Sequence, residues 1–201
     1  MQVNAGSVTD PRLHVDALRV LKEHHHPEPG QQRLRDEYLG FLDQHADAMW
    51  RELRVGHLTA SALVMDASGQ RVLLTLHPKV GRWLQLGGHC EPGDASLQAA
   101  SRREVVEESG IQQVRMSDRP LRLDRHPVRC GPAMSEHLDV QYLAIVPSNA
   151  VPVMSEESVD LQWFGLSDLP LGLDDSVLHL IRDAVALQES SVHRLGTPFP
   201  S

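Results

Sequence analysis

The chain has 201 residues, of which 41% are hydrophobic and 23% are charged, and its formal net charge is -8 at pH 7. This length is enough for one domain with a sizeable core plus an extension, and the composition is that of an ordinary globular protein. The acidic balance disfavours a surface that coats nucleic acid, because such a surface would be basic. No apolar run approaches the length of a membrane span, and the start lacks the basic and apolar segments of a secretory signal.

Only two cysteines occur, Cys90 and Cys130, and they are not in CxxC spacing. We therefore expect thiols that are buried or idle, no disulfide framework, and a reducing, cytoplasmic environment.

Two amphipathic helices are predicted before the first strand. The first starts at Pro11, with Asp10 as N-cap and apolar residues at helical spacing, and the second covers residues 31–53. Such helices cannot bury their apolar stripes alone, so they must pack on the following domain or on a second subunit. A role in forming a homodimer or in shaping a substrate pocket is the resulting hypothesis. The triple histidine at 24–26 between them suggests metal binding, but a solvated helix end is the preferred interpretation.

Alternating apolar and polar residues predict several strands after the helices. The predicted strands cover residues 57–66, 71–77, 83–86, 112–116, 121–128 with an interruption at Pro127, 137–146 and 160–164. Residues 129–136 are predicted to be a loop, and residues 174–188 a final helix. The predicted domains are a helical extension (1–55), a main domain (56–190) and a tail (191–201).

The stretch 87–111 reads as a glycine-rich turn, then a helix, then a glycine stop. The turn comprises residues 87–88 and 91–94, and the helix runs from about Ala95 or Ser96 to Ser109. Asp94 or Ser96 can cap its start, and Gly110 occupies the left-handed position that ends a helix.

Three carboxylates, Glu104, Glu107 and Glu108, share one side of this helix at spacings i, i+3 and i+4. Like charges at this spacing repel, and the helix dipole disfavours anions near the C-terminal end. The arrangement suits a hard divalent cation such as Mg²⁺ or Mn²⁺. Most runs of acidic residues form a solvated helix face. Here the preceding glycine turn and the adjoining Arg102-Arg103 favour the interpretation as a cation-binding site.

At these residues the sequence resembles the Nudix hydrolase family. The family has a signature motif, the Nudix box, and this chain matches the second half of it at every position. The matching residues are Arg103-Glu104, two valines, Glu107-Glu108, a serine, Gly110 and an isoleucine. The first half begins at Gly88 and departs twice, since Asp94 replaces a glutamate and eight residues instead of seven separate it from Arg103. The flanking pattern extends the resemblance to residues 58–169.

The resemblance implies an α+β Nudix fold, in which a mixed sheet lies in an α/β/α sandwich. It also implies cleavage of a diphosphate linked to another moiety, with Mg²⁺ or Mn²⁺ as cofactor. Glu104, Glu107 and Glu108 are then the expected metal ligands, and one of them is the general base in some members. Arg103 is expected to orient a glutamate through an ion pair. A glycine carbonyl at Gly88, or at its neighbour Gly87, is often a further ligand.

Candidates outside the helix lie on a strand and in a loop. Alternation places His137, Asp139 and Gln141 on one face, where Asp139 could complete the metal site and His137 could contact phosphate; a polar, solvated face is the alternative. Glu157, in the acidic loop before the 160–164 strand, is either a base or a surface residue. His89, inside the box turn, is close enough in sequence to touch substrate or metal.

The implied substrate is a small nucleoside diphosphate derivative. Two alternatives stay open at this point: a Nudix-fold module that binds a nucleotide and regulates without cleaving it, and an isomerase or other chemistry on the same fold.

Overall fold

The computed structural model describes residues 11–130, 133–155 and 158–192. The predictions for Asp10, for Glu157 and for the tail beyond residue 192 lie outside these ranges. The elements, in chain order, are α1 (Pro11–Glu23), α2 (Pro29–Gln44), β1 (His57–Asp66), β2 (Arg71–Leu76), β3 (Trp83–Leu84), β4 (Leu86–His89), α3 (Leu97–Ser109), β5 (Arg115–Met116), β6 (Arg122–Cys130), β7 (Ala133–Val146), β8 (Asp160–Gly165) and α4 (Asp175–Val192).

Strand β1 lies at the centre of one mixed sheet. It pairs in parallel with β7 over ten residues, from His57↔His137 to Asp66↔Val146, and antiparallel with β2 and β4. Strands β3 and β8 pair with β2, whereas β5 and β6 pair with β7. Every residue of β1 is buried because the sheet is covered on both faces.

The predicted α/β/α arrangement is confirmed. The even-numbered β1 residues Leu58, Ala60 and Ala62 pack in one core cluster with side chains of α1, α2 and α3. The odd-numbered Leu63 and Met65 pack in a second cluster with α4. Helix α3, which carries the glutamates of the Nudix box and is called the box helix below, therefore lies on the opposite face of the sheet from the C-terminal helix α4.

The N-terminal helices pack on the main domain. The four apolar residues of the first predicted stripe, Leu13, Ala17, Val20 and Leu21, are all buried in the first core cluster. In α2, the buried Gln31 side chain donates to the carbonyl of Leu123 (2.9 Å) and accepts from its amide (2.7 Å). The extension thus covers the outer edge of β6 and shares the core of the domain.

The second helix is shorter than predicted. It ends at Gln44, where the His45 amide donates to the carbonyl of Phe41 at 3.0 Å, and turns follow. Ala48 and Met49 are nevertheless buried, and the Leu58 amide donates to the Ala48 carbonyl at 2.8 Å. These apolar residues beyond position 44 lie in turns that lead the chain into β1, and they are buried there. In the sequence, their spacing resembles a continuation of the apolar stripe of the helix.

Two segments predicted as turn or loop are strands. Residues 87–88 belong to β4, and residues 129–136 are largely the facing ends of β6 and β7, where Arg129 pairs with Met134. Pro127 does not interrupt β6. It pairs with Glu136, and within the described residues no strand pairs with the other edge of β6, where a proline can lie without removing a ladder hydrogen bond.

None of the helices in the described ranges combines the length and apolar character that crossing a membrane requires.

The triple histidine is not uniformly solvated. His25 is exposed, but His24 is only 3% exposed and its ring stacks on that of His26 at 6.2 Å. Burial, with the nearby charges of His26 and Arg35, lowers the pKa of His24 to about 4. The interpretation of a solvated helix end is therefore wrong for His24, because this residue is buried.

We expect Leu21→Ala to lower the free energy of unfolding by about 2–5 kcal/mol, because Leu21 is fully buried in the core that the extension shares with the domain. Val15→Ala, on the exposed side of the same helix, should change it by less than about 0.5 kcal/mol. Urea unfolding of both variants measures the difference. Equal small effects would show that the extension does not contribute to the core.

Stability should also fall as the pH is lowered from 6.5 towards about 4, in part because of His24. Its pKa is lower in the folded state than in the unfolded state, so the unfolded chain takes up the proton first. His24→Phe should reduce this loss, measured as the free energy of unfolding between pH 7 and pH 4. His25→Phe, at the exposed neighbouring position, should change the pH profile less than His24→Phe does, and a profile that responds equally to both would contradict the assignment.

Candidate active site

The box helix is fixed at both ends by local hydrogen bonds. Ser96 is the N-cap, and its hydroxyl accepts from the Ala99 amide at 3.0 Å. The Leu97 amide donates to Asp16 on α1 at 2.9 Å, so the N-terminal extension satisfies a further amide of the first turn. Gly110, with a φ of 69°, ends the helix in the left-handed conformation that the sequence predicted.

The helix packs against β4 through two glycines. A Cβ atom added at Gly88 would lie 2.8 Å from Glu104 Oε1, and one added at Gly87 would lie 2.3 Å from Ser61 Cβ on β1. No larger residue fits either position without displacing its neighbour. The glycines thus allow the backbone of β4 to lie against the carboxylates of α3 on one side and against β1 on the other.

The three glutamates of the box occupy two environments. Glu104 and Glu108 are buried between α3 and β4, and Glu108 Oε1 accepts from the Gly87 amide at 2.8 Å. Glu107 is exposed, with 55% of its side chain accessible. Two carboxylates therefore converge on the glycine segment, and the third is exposed to solvent.

Arg103 connects these groups. Its guanidinium makes a bidentate pair with Asp94 (3.1 Å for both bonds) and reaches Glu104 (2.9 Å) and Glu107 (2.8 Å). It also donates to the His89 carbonyl at 2.9 Å. Burial opposes the charge of Arg103, but the bonds to Asp94 and the charge of Glu104 outweigh this, and the net effect raises its pKa. One arginine thus neutralises part of a dense acidic cluster and fixes the rotamers of two of its members.

Asp94 has a defined place despite its departure from the family box. Besides the pair with Arg103, its Oδ2 accepts from the Glu91 amide at 2.8 Å, which closes the turn before α3. Its side chain is 7% exposed. A shorter acid with one extra residue in the turn therefore still reaches the guanidinium.

Asp139 lies on β7 and is buried, so the interpretation of a solvated polar face is wrong for this strand. Its carboxylate accepts from the hydroxyls of Thr59 (3.0 Å) and Ser61 (2.6 Å), and from the amides of Gln85 (3.3 Å) and Gln141 (3.2 Å). Burial raises its pKa, and the bond from Ser61 partly offsets the rise. Its role as a metal ligand stays a prediction.

His89 and His137 come together on the sheet face opposite to Glu104. Gly88 and Ala60 are paired and point towards α3, so the neighbouring His89 and Thr59 point to the other face. His57 joins them there, with its ring centroid 5.0 Å from that of His89 and 4.9 Å from that of His137. Burial, together with the other histidines, lowers the pKa of His89 to about 4 and that of His137 to about 3.

His57 is not among the site residues predicted from the sequence. The only signal for it is the parallel register that places His57 beside His137, and this register could not be derived from either strand alone. Glu157, also predicted as a site residue, lies outside the described residues.

The sequence pattern of the NUDIX domain family matches residues 56–184, well over half of the chain. The chain belongs to the Nudix family. Membership confirms the enzyme class expected from the sequence, a Nudix pyrophosphohydrolase, and the family generally uses a divalent metal. No curated protein matches the sequence significantly.

Solved structures of Nudix proteins resemble the chain over its main domain. A NUDIX family hydrolase from Clostridium perfringens shares 25% identity, with 65% of this chain and 97% of that chain covered and a TM-score of 0.54. A MutT NUDIX hydrolase from Burkholderia pseudomallei also shares 25% identity, with 64% and 97% covered and a TM-score of 0.51. The NUDIX domain of Shewanella oneidensis NrtR, solved with ADP ribose, shares the fold at 24% identity, with 68% and 91% covered and a TM-score of 0.52.

The Arg103 network yields a stability prediction. Arg103→Lys removes the bidentate pair with the buried Asp94, and we expect the free energy of unfolding to fall by about 1–3 kcal/mol. Arg102→Lys is the matched control, because this exposed neighbour makes a single bond to the Gln112 carbonyl and should cost less than about 0.5 kcal/mol. Urea unfolding at low and moderate salt separates the two. Equal effects would mean that the network is not coupled to folding.

Proposed function

We propose that the chain hydrolyses a pyrophosphate bond in a nucleoside diphosphate linked to another moiety, with Mg²⁺ or Mn²⁺ as cofactor. The ligands are the carboxylates of Glu104, Glu107 and Glu108 and a backbone carbonyl at Gly88 or Gly87. The observation that carries the proposal is the convergence of two buried carboxylates on a segment of two glycines, which lets them lie directly against its backbone.

The residues fit such an ion by their chemistry and their placement. Mg²⁺ and Mn²⁺ prefer oxygen ligands, and this cluster offers carboxylate and carbonyl oxygens. Buried carboxylates are costly unless positive charge lies nearby, and the pair of Arg103 with Glu104 supplies part of that charge. A divalent ion would add to it.

When bound, the ion neutralises phosphate oxygens and lowers the pKa of a water molecule, which makes hydroxide available at neutral pH. The chain's own residues set the geometry. Arg103 fixes Glu104 and Glu107, and the Gly87 amide fixes Glu108. Because these carboxylates are held before substrate arrives, little reorganisation is needed during the reaction.

The substrate class rests on family membership and on charge. A protein with a net charge of -8 repels a diphosphate at long range, so binding requires a local cation at the cluster. We also expect the enzyme to act in the reducing cytoplasm, where the buried thiol of Cys90 stays reduced. His89, His137, Glu157 and Asp139 stay predictions as substrate or metal contacts.

The test is release of phosphate or mononucleotide from a panel of nucleoside diphosphates joined to sugar, choline, phosphate or a second nucleoside. Each substrate is run with Mg²⁺, with Mn²⁺ and with chelator. Turnover of one class that depends on the metal supports the proposal and identifies the second moiety. Nucleotide binding with no turnover of any substrate would favour a regulatory binding module instead.

We expect Glu108→Gln to lower kcat/KM at least about 100-fold, since it removes a charged oxygen ligand while preserving the shape of the side chain. Glu23→Gln, an exposed residue on α1, is the matched control and should retain full activity. Circular dichroism verifies that both variants fold. Full hydrolysis by the Glu108 variant would refute the assignment of the cluster as the metal site.

A further inference from the structure

Three histidines from three neighbouring strands meet on the sheet face opposite to the glutamate cluster. His57 begins β1, His137 is its register partner on the parallel β7, and His89 ends β4 opposite Thr59. Residues 57 and 59 point to the same face of β1 because side chains alternate along a strand. The pairing of β1 with both neighbours therefore places three imidazoles together, although 32 and 48 residues separate them along the chain.

The spacing of the three rings is that of a set of ligands around a shared centre. One ring nitrogen from each histidine lies within 4.8 Å of the others, and the ring centroids are 4.9, 5.0 and 5.1 Å apart. Nitrogens at about 2.0 Å from a tetrahedral zinc ion are about 3.3 Å apart, so small side-chain rotations are enough to bring them to a common ion. His57 is completely buried, whereas His89 and His137 are half-buried and leave a path for an ion to enter.

Two of the ring nitrogens have no protein partner. Within the described residues, Nε2 of His57 and Nε2 of His89 are buried and make no hydrogen bond. Such atoms are uncommon in folded proteins because they lose their water without compensation. In His57, Nδ1 faces the Leu53 carbonyl at 3.5 Å, so the proton belongs on Nδ1 and the lone pair on Nε2. In metal-binding histidines, the ring nitrogen that does not bind the metal typically donates a hydrogen bond to a carbonyl or carboxylate in this way, which fixes the tautomer.

The chemistry of the cluster favours a cation over an anion. Neutral imidazoles present lone pairs, which repel phosphate and coordinate metal ions. Neutral nitrogen ligands suit zinc and other late transition metals, whereas the carboxylate cluster on α3 suits Mg²⁺ or Mn²⁺. The two sites therefore differ in ligand type, and they lie on opposite faces of the sheet.

We propose that His57, His89 and His137 form a second metal site that binds one Zn²⁺ ion. Three protein ligands leave one position of a tetrahedral zinc open for water or for an oxygen of a bound molecule. The ion would also join β1, β4 and β7 where β1 begins, next to the segment that carries Gly87 and Gly88. This site shares no side chain with the glutamate cluster, so zinc binding by it can be measured separately from hydrolysis.

The test is zinc binding by the full chain, purified without an affinity tag and stripped with chelator. Isothermal titration with Zn²⁺ in the presence of excess Mg²⁺ should give one tight site per chain. Substitution with Co²⁺ should give the visible absorption of a tetrahedral, nitrogen-ligated ion. His89→Asn and His137→Asn should each weaken zinc binding at least about 100-fold, because removing even an outer partner of a ligand costs about 10–100-fold.

Two controls separate this site from other zinc-binding groups. His179→Asn, on the exposed side of α4, should leave zinc affinity unchanged, and so should Glu108→Gln, which removes a glutamate of the other cluster. His57→Asn provides a third test if either of the other cluster variants fails to fold by circular dichroism. The proposal is overturned if the folded chain binds no zinc saturably, if the cluster variants bind it as tightly as the native chain, or if only Glu108→Gln abolishes binding.

Discussion

The close approach of the box helix to β4 is the constraint on which the site depends. Glycine at positions 87 and 88 allows β4 to lie between Ser61 on one side and Glu104 on the other, at distances where a Cβ would collide. With that approach, the Gly87 amide reaches Glu108 and the His89 carbonyl reaches Arg103. The backbone of β4 is thereby part of the site, and a larger residue would separate the carboxylates from the carbonyls proposed to share their ion.

The N-terminal helices belong to this arrangement even though the family match begins after them. Asp16 on α1 satisfies the Leu97 amide in the first turn of the box helix, and α1 and α2 fill the same core cluster as the helix. Arg122 on β6 pairs with Glu28, at the start of α2, and with Asp183 on α4. The extension thus connects the two faces of the sandwich around the edge of the sheet.

Local sequence signals predicted most of the elements. The periodicity of α1, the alternation in β1 and the caps at Ser96 and Gly110 each depend on a few neighbouring residues, and all were found where expected. The errors occurred where tertiary contacts decide the local structure. Gly87 and Gly88 are turn formers by propensity, but pairing with β1 makes them part of a strand. Residues 129, 130 and 133–136 were expected in a loop, but they pair as the ends of β6 and β7.

In the site too, the features set by neighbouring residues were predicted and those set by long-range contacts were not. The glutamates and Arg103 are on one helix, so their proximity follows from helical spacing, and the sequence was sufficient to find them. The buried environment of Asp139 and the presence of His57 depend on the register of β1 against β7, which a single sequence does not encode in any local pattern. Long-range pairing is therefore what limited the prediction of this site, and it is also what places the histidine cluster.

The same strand pairing produces two chemically different sets of ligands. In β4, adjacent residues point to opposite faces, so Gly88 contributes to the carboxylate side and His89 to the imidazole side. An ion on one side would be separated from an ion on the other only by the thickness of the sheet, and both would stabilise the same short strand. Because oxygen ligands favour Mg²⁺ or Mn²⁺ and imidazoles favour Zn²⁺, each set can select its own ion when both kinds are present. On this argument, occupancy of the histidine site would help to hold β4 in the position that the glutamate site requires.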